Sequence, residues 1–129
     1  MRVWVDGWQM QCCGDAFATG ERVEWMGSDR VDAEFFGQLL PPHEVAAITH
    51  AEERHGDGED SLLHIVGTVP STQAVFCRYE PSASSPKMLV PAPQSGTMAM
   101  RTSTTGWEAE LDDGSTFLGY VVDVVPEGS

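Results

Sequence analysis

Four residues have the chemistry to hold a metal or to do thiol redox work: the adjacent pair Cys12-Cys13, then Cys77 and His64. Thiolates and imidazole bind zinc, and four such ligands close a tetrahedral site. The spacing works against it. Metal sites place two or more residues between paired cysteines, because adjacent side chains on a strand point to opposite faces. A turn at Gly14 that twisted the pair together would let Cys77 and His64 complete the set. Zinc binding or redox sensing at these four positions is therefore the alternative reading. The plainer reading sends Cys12 into the core behind Trp8 and Met10 and leaves Cys13 in water at the strand end. Three cysteines, an odd count, suit a reducing compartment with free thiols better than a disulfide framework.

The histidines offer no second site. His50 and His55 on one helix would stand roughly 140° apart around its axis, so they face different ways. No His-Glu-x-x-His pattern is present. The acidic run Gly56-Asp57-Gly58-Glu59-Asp60 lacks calcium-loop spacing and reads as a solvated loop. There is no Gly-rich phosphate loop and no Gly-x-Ser-x-Gly elbow, and no Ser, His and Asp stand at a spacing that argues for a nucleophile and its base. These motifs point away from an enzyme. Four tryptophans carry more interest. Aromatics on a sheet face are either core or a stacking platform for a ligand or peptide. Trp8 and Trp25 are assigned to the core. Trp4 and Trp107 remain the candidate ligand-binding residues.

Charge narrows the partners. Seven basic residues against twenty acidic ones give −13 over 129 residues. Arg2, Arg22, Arg78 and Arg101 are scattered among those acids. A partner held through phosphates, whether nucleic acid or an anionic membrane surface, is excluded on that balance. No apolar run reaches the ~20 residues that span a bilayer. The opening Met1-Arg2-Val3-Trp4-Val5-Asp6 has no apolar signal-peptide core, so a cytoplasmic location is expected.

The elements that must position these residues follow from hydrophobic period. Trp4, Trp8, Met10 and Cys12 share one parity, which predicts a first strand running to Cys12, with Gly7 as a bulge or a close backbone approach. Val23 and Trp25 alternate on a second strand. Asp32 caps a helix carrying Phe35, Phe36, Leu39 and Leu40, and Pro41-Pro42 stops it. Pro42 then opens a helix over His43 to His55 with Val45, Ile48 and Ala51 as its apolar stripe. Ser61 to Val69 and Thr72 to Tyr79 read as a hairpin turning at Pro70-Ser71. Residues 81–96 hold Pro81, Pro86, Pro91 and Pro93 with four serines, and read as a flexible loop inside a single domain of residues 1–129. Trp107, Ala109 and Leu111 alternate into Asp112-Asp113-Gly114, a hairpin cue. The strand beyond, Ser115 to Val125, is apolar on both parities and so should be central.

The opening Val3-Trp4-Val5-Asp6-Gly7-Trp8-Gln9-Met10-Gln11-Cys12-Cys13-Gly14, with Phe17, Gly20, Val23 and Trp25, resembles the N-terminus of a family of small uncharacterised actinobacterial proteins. His50-Ala51-Glu52-Glu53-Arg54-His55-Gly56 and Cys77-Arg78-Tyr79 resemble it as well. The resemblance implies a bacterial cytosolic origin and carries no activity. The Phe-x-x-Gly-x-x-Val-x-Trp turn is similar to turns in OB and SH3-like barrels, an analogy of fold alone. The expected fold is α+β and mainly β, a small bent sheet or partly open barrel with one or two inserted helices. The expected function is a non-enzymatic binding or regulatory module acting through a protein partner or self-association, without a cofactor. Besides the zinc or redox reading, a small-molecule pocket inside the barrel is the other alternative.

Overall fold

The computed structural model describes residues 1–13, 15–53 and 63–127. The acidic run at 57–60, His55 and the side chain of Cys13 lie outside the described residues. Along the chain run β1 (Arg2–Asp6), α1 (Gly7–Cys13), β2 (Arg22–Ser28), α2 (Ala33–Leu39), α3 (Pro42–Ala47), β3 (His50–Glu52), β4 (Leu63–Cys77), β5 (Tyr79–Pro81), β6 (Leu89–Pro91), β7 (Thr97–Arg101) and β8 (Thr116–Pro126). The fold is mainly β, as its sequence implies. Six strands form one mixed sheet in the order β2-β3-β1-β8-β4-β7, and β2 also pairs with β4, which bends the sheet into a ring. Only β1 and β3 run parallel within it.

Each face of the sheet carries its own apolar cluster. Inside the ring lie Val3, Val5, Val23, Trp25, Ile65, Phe76, Tyr120, Val122 and Val124, closed by Met10 of α1 and by Phe17. On the outer face Trp4, Val75, Cys77 and Val121 meet Phe36, Leu39 and Leu40 at α2 and Ile48 beyond α3. Strand alternation produces this division, since successive side chains of β1 point to opposite faces. Full burial of a large apolar side chain stabilises by roughly 1.5–3 kcal/mol, so Tyr120, Phe76 and Leu39 are among the main contributors. β8 lies between β1 and β4 and is covered on both faces, as its double-parity pattern requires. A register shift next to Leu118 moves Phe117 to the ring interior with Tyr120 and Leu118 to the outer face with Val121.

Four expectations are corrected. The first strand stops at Asp6, and Gly7 starts a helix instead of a bulge within a strand. Trp8 is consequently 56% exposed rather than buried, and Cys12 is exposed too. The second helix ends at Ala47, because Ile48 and Thr49 leave it and Thr49 donates its amide to Arg2 O at 3.0 Å. That bond delivers His50–Glu52 to the edge of β1 as β3. Ile48 still packs where the apolar stripe required, but from extended chain. Pro70-Ser71 is no turn: β4 runs straight through it, with a register shift between Thr68 and Ser71 that absorbs the missing proline N–H. Residues 107–111 form no strand; the Asp112-Asp113-Gly114 turn links an irregular segment to β8.

Other expectations hold. The Asp32 carboxylate caps α2 by accepting from the Phe35 amide at 3.0 Å. Pro42 occupies the first turn of α3. Residues 81–96, read from composition as a flexible loop, are not among these: β6 pairs with β5 there, and Ala92 and Ser95 are buried. Ser95 Oγ donates to Ala92 O at 2.7 Å and accepts from the Arg78 amide at 3.1 Å.

Candidate functional site

Helix α1 borders several concavities of the surface. Asp6 begins it: the carboxylate accepts from the Trp8 amide at 3.2 Å, an N-cap bond across the first turn. Gly7 has to be glycine, since a Cβ there would sit 2.7 Å from Phe117 Cε2 and 2.8 Å from Leu118 O. The absent side chain lets α1 rest directly on β8. Met10 then points into the ring, while Trp8 and Cys12 face outward.

Three cavities adjoin around this helix. The first, about 320 Å³, is lined by Trp4, Asp6, Gly7, Trp8, Gln11, Phe35, Tyr79, Phe117 and Leu118. The second, about 360 Å³, shares Trp4, Asp6 and Phe35 with it and continues past Gln9 to Arg30, Asp32, Glu52 and Glu53. The third, about 350 Å³, shares Gln11 and Phe117 with the first and ends at Trp107 and Glu108. These cavities share wall residues and lie side by side along α1, forming an interrupted groove. Volumes of this size fall in the range of small-ligand sites.

Trp4 and Trp107, the two predicted ligand-binding residues, stand in different parts of that groove. Trp4 is nearly buried, edge-on to Phe36 with centroids 4.9 Å apart, and shows the groove only part of its ring. Trp107 is 70% exposed at the far end. It rides on a strap fixed at several points. Gln11 Nε2 donates to Gly106 O at 2.7 Å, and the Tyr120 hydroxyl accepts from the Thr105 and Gly106 amides at 3.3 and 3.2 Å. Glu108 accepts from that hydroxyl and from Arg101 Nε, both at 2.8 Å.

Of the four predicted metal or thiol residues, His64, Cys77 and Cys12 do not share a face, and the side chain of Cys13 lies outside the described residues. His64 lies on exposed β4 with Nε2 2.9 Å from Glu24 Oε1 across to β2. Cys77 is a fully buried free thiol in the outer cluster. Cys12 is exposed on α1 and disulfide-bonded, which corrects the expectation of free thiols there. Among the described residues, no three His, Cys, Asp or Glu side chains are grouped to hold a metal.

The electrostatics of the groove centre on Asp6. Burial pushes its carboxyl above the ordinary aspartate range, while the Trp8 amide and the nearby Trp4 indole pull it back. The Tyr79 phenol is pushed up by burial, by the Cys77 thiol that it bonds and by the charge of Asp6. Sequence reasoning missed Asp6, Gln11, Phe35 and Tyr79. Asp6 was legible as a helix cap, because Gly-Trp-Gln-Met-Gln-Cys-Cys contains no β-branched residue and follows an aspartate.

Fold and groove together define a small, mainly β domain with a ligand-sized groove on one flank of a ring-shaped sheet. The chain belongs to a family of unknown function, DUF6578, which matches residues 1–126. No curated protein and no solved structure matches the chain. Among the described residues no helix is long and apolar enough to cross a membrane.

Proposed function

We propose that this protein is a non-enzymatic binding module that receives an extended segment of a protein partner in the groove around α1. The observation that carries the reading is the adjacency of three cavities that share wall residues between Glu53 and Trp107, with Trp8, Tyr79 and Trp107 exposed beside them. A soluble domain exposes large aromatics in a row at a cost, and such rows mark interaction sites. The polar lining of the first cavity supports binding over catalysis. It offers a carboxylate, a carboxamide and a phenol, groups that orient a ligand. The −13 charge supports a protein partner over nucleic acid or an anionic membrane. A bacterial cytoplasm is the proposed setting, supported by the family resemblance of the opening.

The test is selection of a random heptapeptide library on the protein, with Trp8→Ala as the comparison. Trp8 is an exposed residue, so the variant keeps the fold. Selected peptides are expected to lose about tenfold in affinity on Trp8→Ala, the ordinary weight of an aromatic anchor. Peptides that bind wild type and variant equally, or no selected peptide at all, overturn the reading.

A further inference from the structure

The chemistry at the centre of the groove specifies the occupant more closely. Asp6 is the one carboxylate common to the first two cavities, and Trp8, Phe35 and Tyr79 stand around it. A carboxylate has about four acceptor positions, and the helix-capping bond from the Trp8 amide and the bond from the Trp4 indole use two. The neighbouring cavity adds Asp32 and Glu53, with Arg30 the one cation among its described lining residues. An anion is therefore repelled from this floor, and a neutral apolar group leaves a half-buried carboxylate without a counter-charge. A cation carried on an apolar stem satisfies both parts of the lining: the charge meets the carboxylate, and the stem and the cation meet aromatic faces. A second copy of this chain brings the same −13 charge and is a poor occupant.

We propose that the groove seats a basic side chain of the partner segment, Lys or Arg, with its cation over Asp6 and its stem between Trp8, Phe35 and Tyr79. This rests on the binding-module reading and adds to it the chemical class of the partner. Asp6 then has two duties. It accepts the Trp8 amide and the Trp4 indole, and it offers its remaining positions to the ligand.

The experiment uses the heptapeptides selected on the intact protein. They are expected to share a Lys or Arg at one position. Replacing that residue by norleucine, which keeps the stem and removes the charge, should weaken binding about tenfold. Asp6→Asn, whose amide oxygen still accepts the Trp8 amide, should cause a similar loss, and the two losses should not add. Asp112→Asn removes the same unit of charge from an exposed turn and should change affinity less than about twofold. Selected peptides that lack a basic residue yet depend on Trp8 overturn the cation seat and leave the module standing. Equal losses for Asp6→Asn and Asp112→Asn overturn the seat in favour of long-range attraction. If Asp6→Asn does not fold, the norleucine peptide on wild-type protein decides the question. Failure to select any peptide overturns both readings together.

Discussion

The Tyr120 hydroxyl donates to the Glu108 carboxylate at 2.8 Å and joins the central strand to the strap that carries Trp107. The same oxygen accepts the Thr105 and Gly106 amides, so one phenol holds three polar groups of the strap. Arg101, stacked 5.8 Å from the Phe76 ring centroid, balances the Glu108 charge.

Tyr120→Phe removes that oxygen and leaves a carboxylate and two amides short of a partner. The expected loss is about 1–3 kcal/mol, the cost of unsatisfied buried groups, read by urea denaturation. Trp107 fluorescence anisotropy should fall in the variant at the same time. A variant as stable as wild type would show that water replaces the phenol without cost.

Gly119 and Gly37 should respond in opposite directions to alanine. A Cβ at Gly119 would collide with Val5 O of the paired strand and come within 2.7 Å of the Trp4 ring. The backbone atom cannot yield without breaking the β1–β8 ladder, so Gly119→Ala should cost about 2 kcal/mol or more. Gly37 lies exposed in the middle of α2 with nothing within 4 Å of its would-be Cβ. Gly37→Ala should stabilise by roughly 0.5–1 kcal/mol. Thermal melts of the two variants decide both signs.

Asp123 makes stability fall in acid. Burial pushes its carboxyl up, but hydrogen bonds from Arg2 and Ser71 outweigh it and leave the group below the ordinary 3.8. A depressed carboxylate contributes stability that is complete above the unfolded-state value and is lost as pH falls through the folded-state one. Asp123→Asn should therefore be less stable than wild type at neutral pH, and the difference should shrink as pH drops below 3.8. Urea midpoints across that range test it, and a difference that stays constant with pH would refute the assignment.

Asp6 shifts the opposite way. Its folded-state value is raised, so its ionisation opposes folding as pH climbs past 3.8. A cationic peptide needs the ionised form. Its affinity should be full at neutral pH and fall as pH drops through the raised value of Asp6, while the norleucine peptide stays flat. Isothermal titration at several pH values measures both.

Cys77 should resist alkylation in the native protein. It has no exposed surface, and burial pushes its thiol up despite the Tyr79 hydrogen bond. Iodoacetamide labelling followed by peptide mapping should find Cys77 modified only after denaturant is added. Rapid native labelling would mean that the outer cluster opens readily.

The sequence carried much of the sheet but little of the groove. Val23 with Trp25, and the double-parity run Phe117 to Val125, announced β2 and central β8 because strand alternation is a local property. The Asp32 cap and the Pro41-Pro42 stop likewise bounded α2. Other elements were decided at long range. The alternation of Trp4, Trp8 and Met10 fitted a strand and a helix equally well until Gly7 met Phe117 and Leu118. Ile48 and Thr49 left a helical pattern because Arg2 offered a backbone partner 47 positions away. Pro70-Ser71 had turn chemistry, yet Val69 was held from both sides through Gly20 and Glu21. The groove draws Asp6, Phe35, Tyr79 and Phe117 from four separate segments. No spacing rule brings those together.

The position of β8 between β1 and β4 bears on how the chain is made. The strand nearest the C-terminus occupies the middle of the sheet, so a nascent chain carries β1 and β4 with their long edges unpaired until β8 has emerged. Folding is then dominated by non-local pairing, which is slow and leaves sticky edges exposed. The large negative charge gives the incomplete chain mutual repulsion during that interval. The acidity proposed to favour a basic partner thus also disfavours pairing between half-made sheets on a polysome.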